Sequence, residues 1–309
     1  MKKFLLFALK TLLMVLILAV VLDYCYTAIY LHSSKRSKVE QIYNSKNENY
    51  DVIILGSSRA NNHFVAPLFE QKDLKTFNYG LSGGHLFEAS LLLKLMVERH
   101  YKIKNVLLEA DLNLSNEQRA EGVSARFLPY LHQSKTIRDH FSKEKDFRQL
   151  YYIPFYRYIA FDTRIGFRET YKTALQEPTN SLDHLGYYPL GNKKGNMKNN
   201  IINLKPLHNL YYEEIKQICK RNKINLIVVT TPMCSAVTGM DYFEKVIKIH
   251  PEIHNYENAV EGDQYFSSCG HLNDAGARLF TKRIIRDLFP LPSSRIGTVQ
   301  RGKPSMEYK

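Results

Sequence analysis

The stretch DVIILGSSR, residues 51–59, determines the fold that this sequence predicts. Its first five residues are mostly apolar and rich in valine and isoleucine, a composition typical of a strand buried in a parallel sheet. The run ends at Gly56, which favours a tight turn, and Ser58 follows on that turn. The stretch therefore predicts a strand whose carboxyl end presents a serine hydroxyl at the entrance of a helix.

Alternating strand and helix patterns extend from this stretch through most of the chain. Further strands are predicted at 75–80, 105–111 and 224–232, and helices at 66–71, 85–100, 209–222 and 273–288. Short connections between them predict an α/β domain over residues 49–290, with a parallel sheet covered by helices on both faces. Residues 115–205 break the pattern and predict a mainly helical insertion or cap, whereas residues 291–309 predict a disordered tail.

An apolar segment near the amino terminus predicts a membrane anchor. Residues 4–22 are apolar except for Lys10 and Thr11. A helix of this length extends roughly 28 Å, about the thickness of the hydrocarbon core of a bilayer. A cleaved signal peptide is the alternative, but residues 23–26 (DYCY) offer no small-residue cleavage site. We therefore expect residues 1–31 to form a cytoplasmic tip and an uncleaved transmembrane helix, followed by a polar stalk at residues 32–48.

The orientation of this anchor is less strongly marked in the sequence. Basic residues lie on both sides of the segment: Lys2, Lys3 and Lys10 on one, and Lys35, Arg36 and Lys38 on the other. The positive-inside count is therefore nearly balanced. A short tail with two lysines is typical of an export anchor, so we expect a single-pass inner-membrane protein whose bulk lies outside the cytoplasm.

Composition limits the classes of partner. Lys and Arg number 43 against 30 Asp and Glu, a formal net charge of +13, which suits anionic partners. The chain has no arginine-rich recognition helix, zinc-finger spacing or RNA-binding signature, so we predict no nucleic-acid partner. The positive charge is spread along the chain, which indicates a diffusely basic surface.

The four cysteines are Cys25, Cys219, Cys234 and Cys269. They have no metal-ligand spacing, so no metal site is predicted. Cys234 follows a predicted strand and Cys269 lies two residues before His271, which leaves open a bridge between them in an exported domain. Of the two alternatives, we expect free buried thiols.

Chemically useful residues follow the predicted strands. In an open α/β sheet, ligands bind at the carboxyl ends of the strands. Ser58 follows the first strand, the loop at 80–84 (GLSGG) the second and Asn113 the third, and His271 precedes the last helix. Ester cleavage by a serine needs a base that takes its proton and donors that stabilise the oxyanion. We therefore predict Ser58 as nucleophile and His271 as base.

These blocks resemble those of the SGNH/GDSL hydrolase superfamily. The segments that carry the resemblance are GSS at 56–58, NYGLSG at 78–83, DLN at 111–113, and HLN followed by GA and FT within 271–281. The resemblance covers about residues 50–115 and 210–288 and implies a flavodoxin-like, three-layer α/β/α fold. It implies that Ser58 is the nucleophile, that the backbone N–H of Ser58 together with Gly83 and Asn113 forms the oxyanion hole, and that no metal or other cofactor takes part.

One position departs from the family pattern. Three residues before His271, where the family has an aspartate, this chain has Ser268. That aspartate orients the imidazole and stabilises its charged form. Asp263 and Asp274 are nearby but lack the family spacing. The alternatives are a Ser58–His271 pair with Ser268 as the replacement, a relocated acid such as Asp263, or a pseudoenzyme that keeps its binding cleft.

Two functions follow from these alternatives. The resemblance extends to membrane-anchored members of polysaccharide O-acetylation systems, which implies an esterase or O-acyltransferase that acts on an acylated glycan beside a multi-spanning membrane acyltransferase. The second is a non-catalytic protein that binds a glycan or scaffolds such a system. Arg59 and His85 are the candidates for substrate contact, with a structural salt bridge as the alternative for Arg59 and a structural histidine for His85. The aromatic and basic residues of 147–171 suit either sugar contact or packing.

Overall fold

A parallel sheet is the centre of the computed structural model, which describes residues 1–33, 36–192 and 195–290. The strands are β1 (Asn49–Leu55), β2 (Thr76–Asn78), β3 (Lys102–Glu109), β4 (Asn199–Asn200), β5 (Asn225–Val229), β6 (Val237–Thr238), β7 (Phe266–Ser268) and β8 (His271–Leu272). The main sheet has the order β2-β1-β3-β5, and its neighbouring strands are parallel. Two small pairs, β4-β6 and β7-β8, lie outside it. The predicted α/β class and parallel sheet are confirmed.

Helices connect the strands and fill the segment before β4. They are α1 (Lys2–Leu31), α2 (Lys38–Tyr43), α3 (Ser58–His63), α4 (Ala66–Glu70), α5 (Leu86–Glu98), α6 (Glu121–Ser124), α7 (Lys135–Phe141), α8 (Phe147–Tyr152), α9 (Tyr156–Ala160), α10 (Asp162–Ile165), α11 (Phe167–Ala174), α12 (Leu210–Arg221), α13 (Asp241–Ile249) and α14 (Asp274–Leu288). Single turns of 3₁₀ helix lie at Leu112–Ser115, Ala125–Tyr130, Asp183–Gly186 and Asp263–Tyr265. The predicted tail at 291–309 lies outside the described residues.

Alternate residues of β1 enter two different apolar clusters, because successive side chains of a strand point to opposite faces of a sheet. Ile53 and Leu55 pack with α5 and α12, whereas Val52 and Ile54 pack with α4 and α14. All four side chains are fully buried. Helices therefore cover both faces of the sheet, and the carboxyl ends of its strands remain free to carry a site.

The amino-terminal helix is long and apolar enough to cross a membrane, by length and composition. Its first two-thirds, through residue 21, are exposed except for the half-buried residue 19, and its last turns pack on the domain, where Thr27 and Tyr30 are buried. The helix thus has a free apolar part and a part that belongs to the globular domain.

The segment predicted as a stalk is instead packed against the domain. Ser37 caps α2 by accepting a hydrogen bond from the Glu40 backbone N–H, and most of the helix is buried. The ammonium group of Lys38 donates to Asn61 Oδ1 (2.6 Å) and to the carbonyl oxygens of Gly80 and Gly186 (2.7 Å each). Polar composition suggested exposure, but the Lys38 side chain has three buried partners that are distant in sequence.

The short helices α8–α11 pack along the end of α1. Arg157 forms an ion pair with Asp23 (2.8 Å), and the hydroxyls of Tyr158 and Thr27 are hydrogen-bonded at 2.8 Å. The Tyr30 hydroxyl donates to the Ile165 carbonyl (3.1 Å). In this aromatic and basic stretch, Arg157 and Tyr158 therefore serve packing against α1.

Candidate functional site

Ser58 and His271, 213 residues apart in sequence, meet at the carboxyl edge of the sheet. The distance between Ser58 Oγ and His271 Nε2 is 2.8 Å. This is within the range in which a histidine can take the proton of a serine hydroxyl. Both side chains are partly exposed, so the pair is accessible from solvent. The two residues predicted as nucleophile and base are therefore placed together.

The turn after β1 is shaped by Gly56 and Glu109. Gly56 has φ +139°, and a Cβ there would lie 2.7 Å from Glu109 Oε2, so only glycine fits. Glu109 Oε2 accepts hydrogen bonds from the Ser57 backbone N–H (2.8 Å) and hydroxyl (2.7 Å). Ser57 in turn caps α3 by accepting from the Arg59 N–H, which places Ser58 in the first turn of that helix. The Glu109 carboxyl group thus fixes the turn that carries Ser58.

His271 lies on the short antiparallel pair β7–β8, opposite Ser268. The distance from Ser268 Oγ to His271 Nδ1 is 3.3 Å. For Nε2 to accept the Ser58 proton, the ring hydrogen must be on Nδ1. The Nδ1–H group then donates a hydrogen bond to the Ser268 hydroxyl oxygen. The Ser268 hydroxyl therefore stands at the position of an orienting acid and supplies a neutral acceptor there.

Electrostatics keep His271 in the form that a base requires. Burial lowers the pKa of His271 below its usual value, and the nearby Arg59 guanidinium lowers it further, while Asp111 opposes both. A neutral imidazole at neutral pH can accept a proton from Ser58. No carboxylate is hydrogen-bonded to His271 among the residues that the structure describes, so a protonated His271 would lack a directly bound counter-ion.

A disulfide bond joins Cys234 to Cys269, so our expectation of free thiols at these two positions is wrong. The bridge ties the turn between β7 and β8 to the loop that follows β5. The two cysteines are 35 residues apart, and only the folding of both segments to the carboxyl edge of the sheet brings them together. Cys219 is free and buried, and Cys25 is free and exposed.

Arg59 points into the protein, in a salt bridge and not at the cleft surface. Its residue is 4% exposed, and its guanidinium lies 3.3 Å from Asp111 Oδ2. It also donates to the carbonyl oxygens of Thr231 (2.6 Å) and Pro232 (3.0 Å). This placement fits the structural alternative and leaves Arg59 no exposed group for substrate contact. From the sequence alone, a basic residue after Ser58 suits substrate contact as well as a structural salt bridge. Only the buried partners of its side chain distinguish the two roles.

Glu109 was missed as a site residue by the sequence reasoning. Burial, followed by the neighbouring Asp111, raises the pKa of the Glu109 carboxyl to about 8, which favours its protonated form at neutral pH. Its position at the end of an otherwise apolar strand (NVLLE) is the signal that could have identified it. A protonated Glu109 supports the Ser57 turn without placing a second negative charge beside Asp111.

The predicted oxyanion residues lie on loops at the same edge of the sheet. Gly83 is exposed, with φ +76°, and a Cβ there would be 3.7 Å from Val123. Asn113 is in the 3₁₀ turn after β3, and its backbone carbonyl accepts from the Asn116 N–H (3.2 Å). Within the described residues, the Asn113 side-chain amide makes no hydrogen bond, so it is free to donate to a ligand.

The remaining candidates, His85 and Asp263, are hydrogen-bonded to other segments than the Ser58–His271 pair. His85 Nδ1 is hydrogen-bonded to the Gln118 carbonyl (2.8 Å), which ties it to the loop after β3 and leaves its ring half-buried. Asp263 accepts from the backbone N–H (3.1 Å) and hydroxyl (2.9 Å) of Ser235. Asp263 is therefore not the relocated acid in this structure, because its carboxylate is used to hold a different loop.

His63 has a structural role beside the pair. It is fully buried, its Nε2 accepts from the Leu272 N–H (3.1 Å), and its ring packs edge-on against His271 with the ring centres 6.1 Å apart. Burial, aided by Arg59, lowers the pKa of His63 well below its usual value. A neutral His63 thus holds β8, and with it His271, against α3.

A cavity of about 320 Å³ opens beside the loop after β2. Its lining includes Gly80, Ser82, Arg126, Ser181 and Tyr188. Asn61, on the same helix as Ser58, contributes to the wall, and its amide donates to the Ser82 hydroxyl (2.9 Å). The cavity is polar with one exposed aromatic ring. Among the described residues, no group of three or more His, Cys, Asp or Glu is placed to hold a metal ion.

Comparison with protein families and with curated proteins gives no relative for this chain. No family model matches it, and no curated protein is significantly similar to it.

Proposed function

We propose that this protein is a membrane-anchored SGNH-type serine esterase or O-acyltransferase that acts on acyl, chiefly acetyl, esters of a cell-envelope or extracellular polysaccharide. The observation that carries the proposal is the 2.8 Å contact between Ser58 Oγ and His271 Nε2. Its position at the carboxyl edge of a parallel sheet, next to a helix start, supports a nucleophile there. The helices on both faces of the sheet support the finer, flavodoxin-like assignment.

The chemistry follows from the atoms around the pair. His271 Nε2 takes the proton of Ser58 as Oγ attacks the ester carbonyl carbon, and the carbonyl oxygen becomes an oxyanion. The backbone N–H of Ser58, the backbone N–H of Gly83 and the Asn113 amide are the proposed donors to that oxyanion. The imidazolium then protonates the leaving sugar oxygen, which leaves the acyl group on Ser58. Water, in an esterase, or an acceptor hydroxyl, in a transferase, reverses these steps and restores the pair.

Ser268 tunes this reaction. Its hydroxyl accepts the hydrogen of His271 Nδ1 at 3.3 Å and so favours the tautomer and ring orientation that leave Nε2 facing Ser58. A hydroxyl carries no charge, so it stabilises the imidazolium less than a carboxylate would. We therefore expect a working but slower centre than one with a complete triad.

The amino-terminal helix and the disulfide support the proposed location. A helix that can cross a membrane suits a single-pass anchor. The Cys234–Cys269 disulfide suits an oxidising compartment, which favours the bulk domain outside the cytoplasm. An anchored domain in that position suits a glycan substrate and a multi-spanning acyltransferase as the partner that supplies acyl groups.

The cavity beside the loop after β2 supports a sugar ligand. Its wall includes Arg126, Asn180 and Ser181, which can hydrogen-bond hydroxyl groups, and Tyr188, whose exposed ring can stack on a pyranose. Asn61 borders this cavity from the helix that begins at Ser58, so a glycan bound there lies next to the nucleophile's helix.

The second candidate is a non-catalytic glycan-binding or scaffolding protein of the same kind of system. Ser268, in place of an acid, is the observation that favours it. In this case, the cavity would bind a glycan while Ser58 remained unacylated.

Activity of matched variants tests the proposal. The full-length protein in detergent is assayed with p-nitrophenyl acetate and with an acetylated glycan, and with a fluorophosphonate probe that labels activated serines. Ser58→Ala and His271→Ala should abolish ester cleavage, and Ser58→Ala should also abolish labelling. Ser142→Ala and His208→Ala, at two exposed positions, are the matched controls. Equal rates in all five proteins would eliminate the catalytic function, and glycan binding without hydrolysis would favour the second candidate.

A further inference from the structure

Several large apolar side chains of the insertion are exposed next to the amino-terminal helix. At the end of α8, in the residue that follows it and on α9, the exposed fractions are 71% for Tyr152, 48% for Ile153 and 66% for Ile159. On and just beyond α11, Phe167, Tyr171 and Leu175 are each more than half exposed. Groups of large exposed apolar side chains on a protein indicate a contact with a partner or a membrane.

The group formed by Tyr152, Ile153 and Ile159 lies at the depth where the apolar part of α1 ends. The Phe155 N–H and the Arg157 guanidinium both donate to the Asp23 carboxylate at 2.8 Å. Tyr152 and Val20 line the same depression, about 350 Å³ in volume. Val20 belongs to the exposed apolar stretch of α1, and Asp23 is only about 4.5 Å further along a helix that rises ~1.5 Å per residue. Tyr152 therefore lies level with the end of the membrane-spanning part.

The second group forms a stripe on α11. Phe167, Tyr171 and Leu175 are spaced four residues apart, so they lie on one face of the helix. The opposite face contacts α1, since Thr170 and Thr173 are buried and the Thr170 hydroxyl is 3.5 Å from that of Tyr30. Both groups thus flank the end of α1 that leaves the membrane, and the α11 group contacts it about 10.5 Å further from the membrane, at Tyr30, a difference in height that a tilt of α1 towards α11 reduces.

Basic side chains accompany the α11 stripe. Arg168, on α11, is exposed and, within the described part of the chain, has no ion-pair partner, whereas the exposed Arg164 lies against Gly122. Aromatic residues combined with Arg or Lys are typical of segments that lie in the membrane interface, where rings enter the headgroup region and guanidinium groups meet lipid phosphates. The charge suits the anionic lipids of a membrane surface.

We propose that these two groups form an interfacial foot: Tyr152, Ile153 and Ile159 on one side of α1, and Phe167, Tyr171 and Leu175 on the other. The foot inserts into the headgroup region of the leaflet from which α1 emerges, with Arg168 on lipid phosphates. The inference rests on the membrane anchor in the proposed function. It gives the domain contacts with the bilayer beyond the helix, which fix the tilt of the domain and the direction in which the Ser58 edge faces.

Single tryptophans test the foot, because the natural chain contains none. Tyr152→Trp and Phe167→Trp place a fluorophore on each side of the foot. Met14→Trp places one in the middle of the apolar helix. Leu279→Trp, at an exposed position of α14, is the matched control away from the foot. Each full-length variant is reconstituted in vesicles of phosphatidylcholine and phosphatidylglycerol that contain lipids brominated either near the headgroup or deep in the acyl chain.

The expected pattern is specific for each position. Tyr152→Trp and Phe167→Trp lose emission with shallow bromines, Met14→Trp loses emission most with deep bromines, and Leu279→Trp keeps its emission with both. Full emission from both foot variants, with Met14→Trp quenched, would overturn the foot and leave the anchor intact. This result would also be obtained if the apolar surface served another protein, since the vesicles contain none. Full emission from Met14→Trp would overturn the anchor, and the foot with it.

Discussion

Replacement of Ser268 by Asp would restore a carboxylate next to His271 Nδ1. The serine oxygen lies 3.3 Å from that nitrogen. Aspartate carries its oxygen one bond further from the backbone, so it can approach the ring more closely without any movement of β7. The variant therefore changes the charge of the acceptor at a position whose geometry is already suitable.

The magnitude follows from the two kinds of hydrogen bond. A neutral hydrogen bond contributes about 1 kcal/mol, and one to a charged group about 1.5–3 kcal/mol. The gain in stabilisation of the imidazolium is therefore about 0.5–2 kcal/mol, which corresponds to roughly 2- to 30-fold in rate. The same interaction favours protonated His271, so the pKa of this histidine should rise by about one unit.

Both effects are measured in one experiment. The rate of p-nitrophenyl acetate hydrolysis is determined across a range of pH for the natural protein and for Ser268→Asp. In the natural protein, burial and Arg59 lower the pKa of His271, so the acid limb of the profile lies below the usual histidine range. In Ser268→Asp, the acid limb should move to higher pH, and the plateau above it should rise.

Ser268→Asn is the matched control, because it has the size of aspartate without the charge. Ser268→Asn should leave the acid limb near that of the natural protein. Ser268→Ala removes the hydrogen-bond acceptor and should slow the reaction about fivefold, the value expected for a lost hydrogen bond of ~1 kcal/mol. If Ser268→Asp and Ser268→Asn have the same plateau and the same acid limb, and both are folded, Ser268 does not act on His271 as argued.

Other predictions concern the support of the site. Gly56→Ala places a Cβ 2.7 Å from Glu109 Oε2 at φ +139°, so thermal unfolding should show a loss of about 1–3 kcal/mol together with lower esterase activity; an unchanged midpoint would contradict the tight fit. Because the folded pKa of Glu109 is raised, the folded state holds a proton that the unfolded state releases, and stability should fall as pH rises from the ordinary carboxyl pKa to the raised one. Glu109→Gln should lack this fall in pH-dependent unfolding. Lys38→Met leaves buried acceptors such as the Gly80 carbonyl without a donor and should cost about 1–3 kcal/mol or more in the free energy of unfolding, with a loss of activity. Cys234→Ala should lower stability by about 2–4 kcal/mol and free the hairpin of the base, so that activity is lost at temperatures where the natural protein still works.

Much of the central fold is predictable from the sequence, because the signals are local. The apolar run of β1, the helical periodicity of α5 and the cap before α14 each lie within a few consecutive residues. The catalytic candidates could be predicted for the same reason. Ser58 follows a strand and His271 precedes a helix, and parallel strands bring such positions to one edge.

Polar segments were less predictable, because their composition does not reveal their partners. The residues around Lys38 have the composition of an exposed stalk, yet the Lys38 ammonium group finds three buried oxygen acceptors on segments far along the chain. The same limitation applies to Arg59, for which the sequence leaves substrate contact and a structural salt bridge open, whereas the structure places its guanidinium 3.3 Å from Asp111 Oδ2.

The sequence by itself determined the apolar amino-terminal helix, the α/β class and the positions of Ser58 and His271 relative to strands and helices, since each depends on a pattern of neighbouring residues. Only the tertiary structure decided that these two side chains are 2.8 Å apart, that Ser268 faces the base, that Cys234 and Cys269 are joined, and that the supposed stalk is part of the domain. These are contacts between atoms, most of them on distant segments. Their formation depends on how the whole sheet and its helices pack, which no short stretch of the sequence encodes.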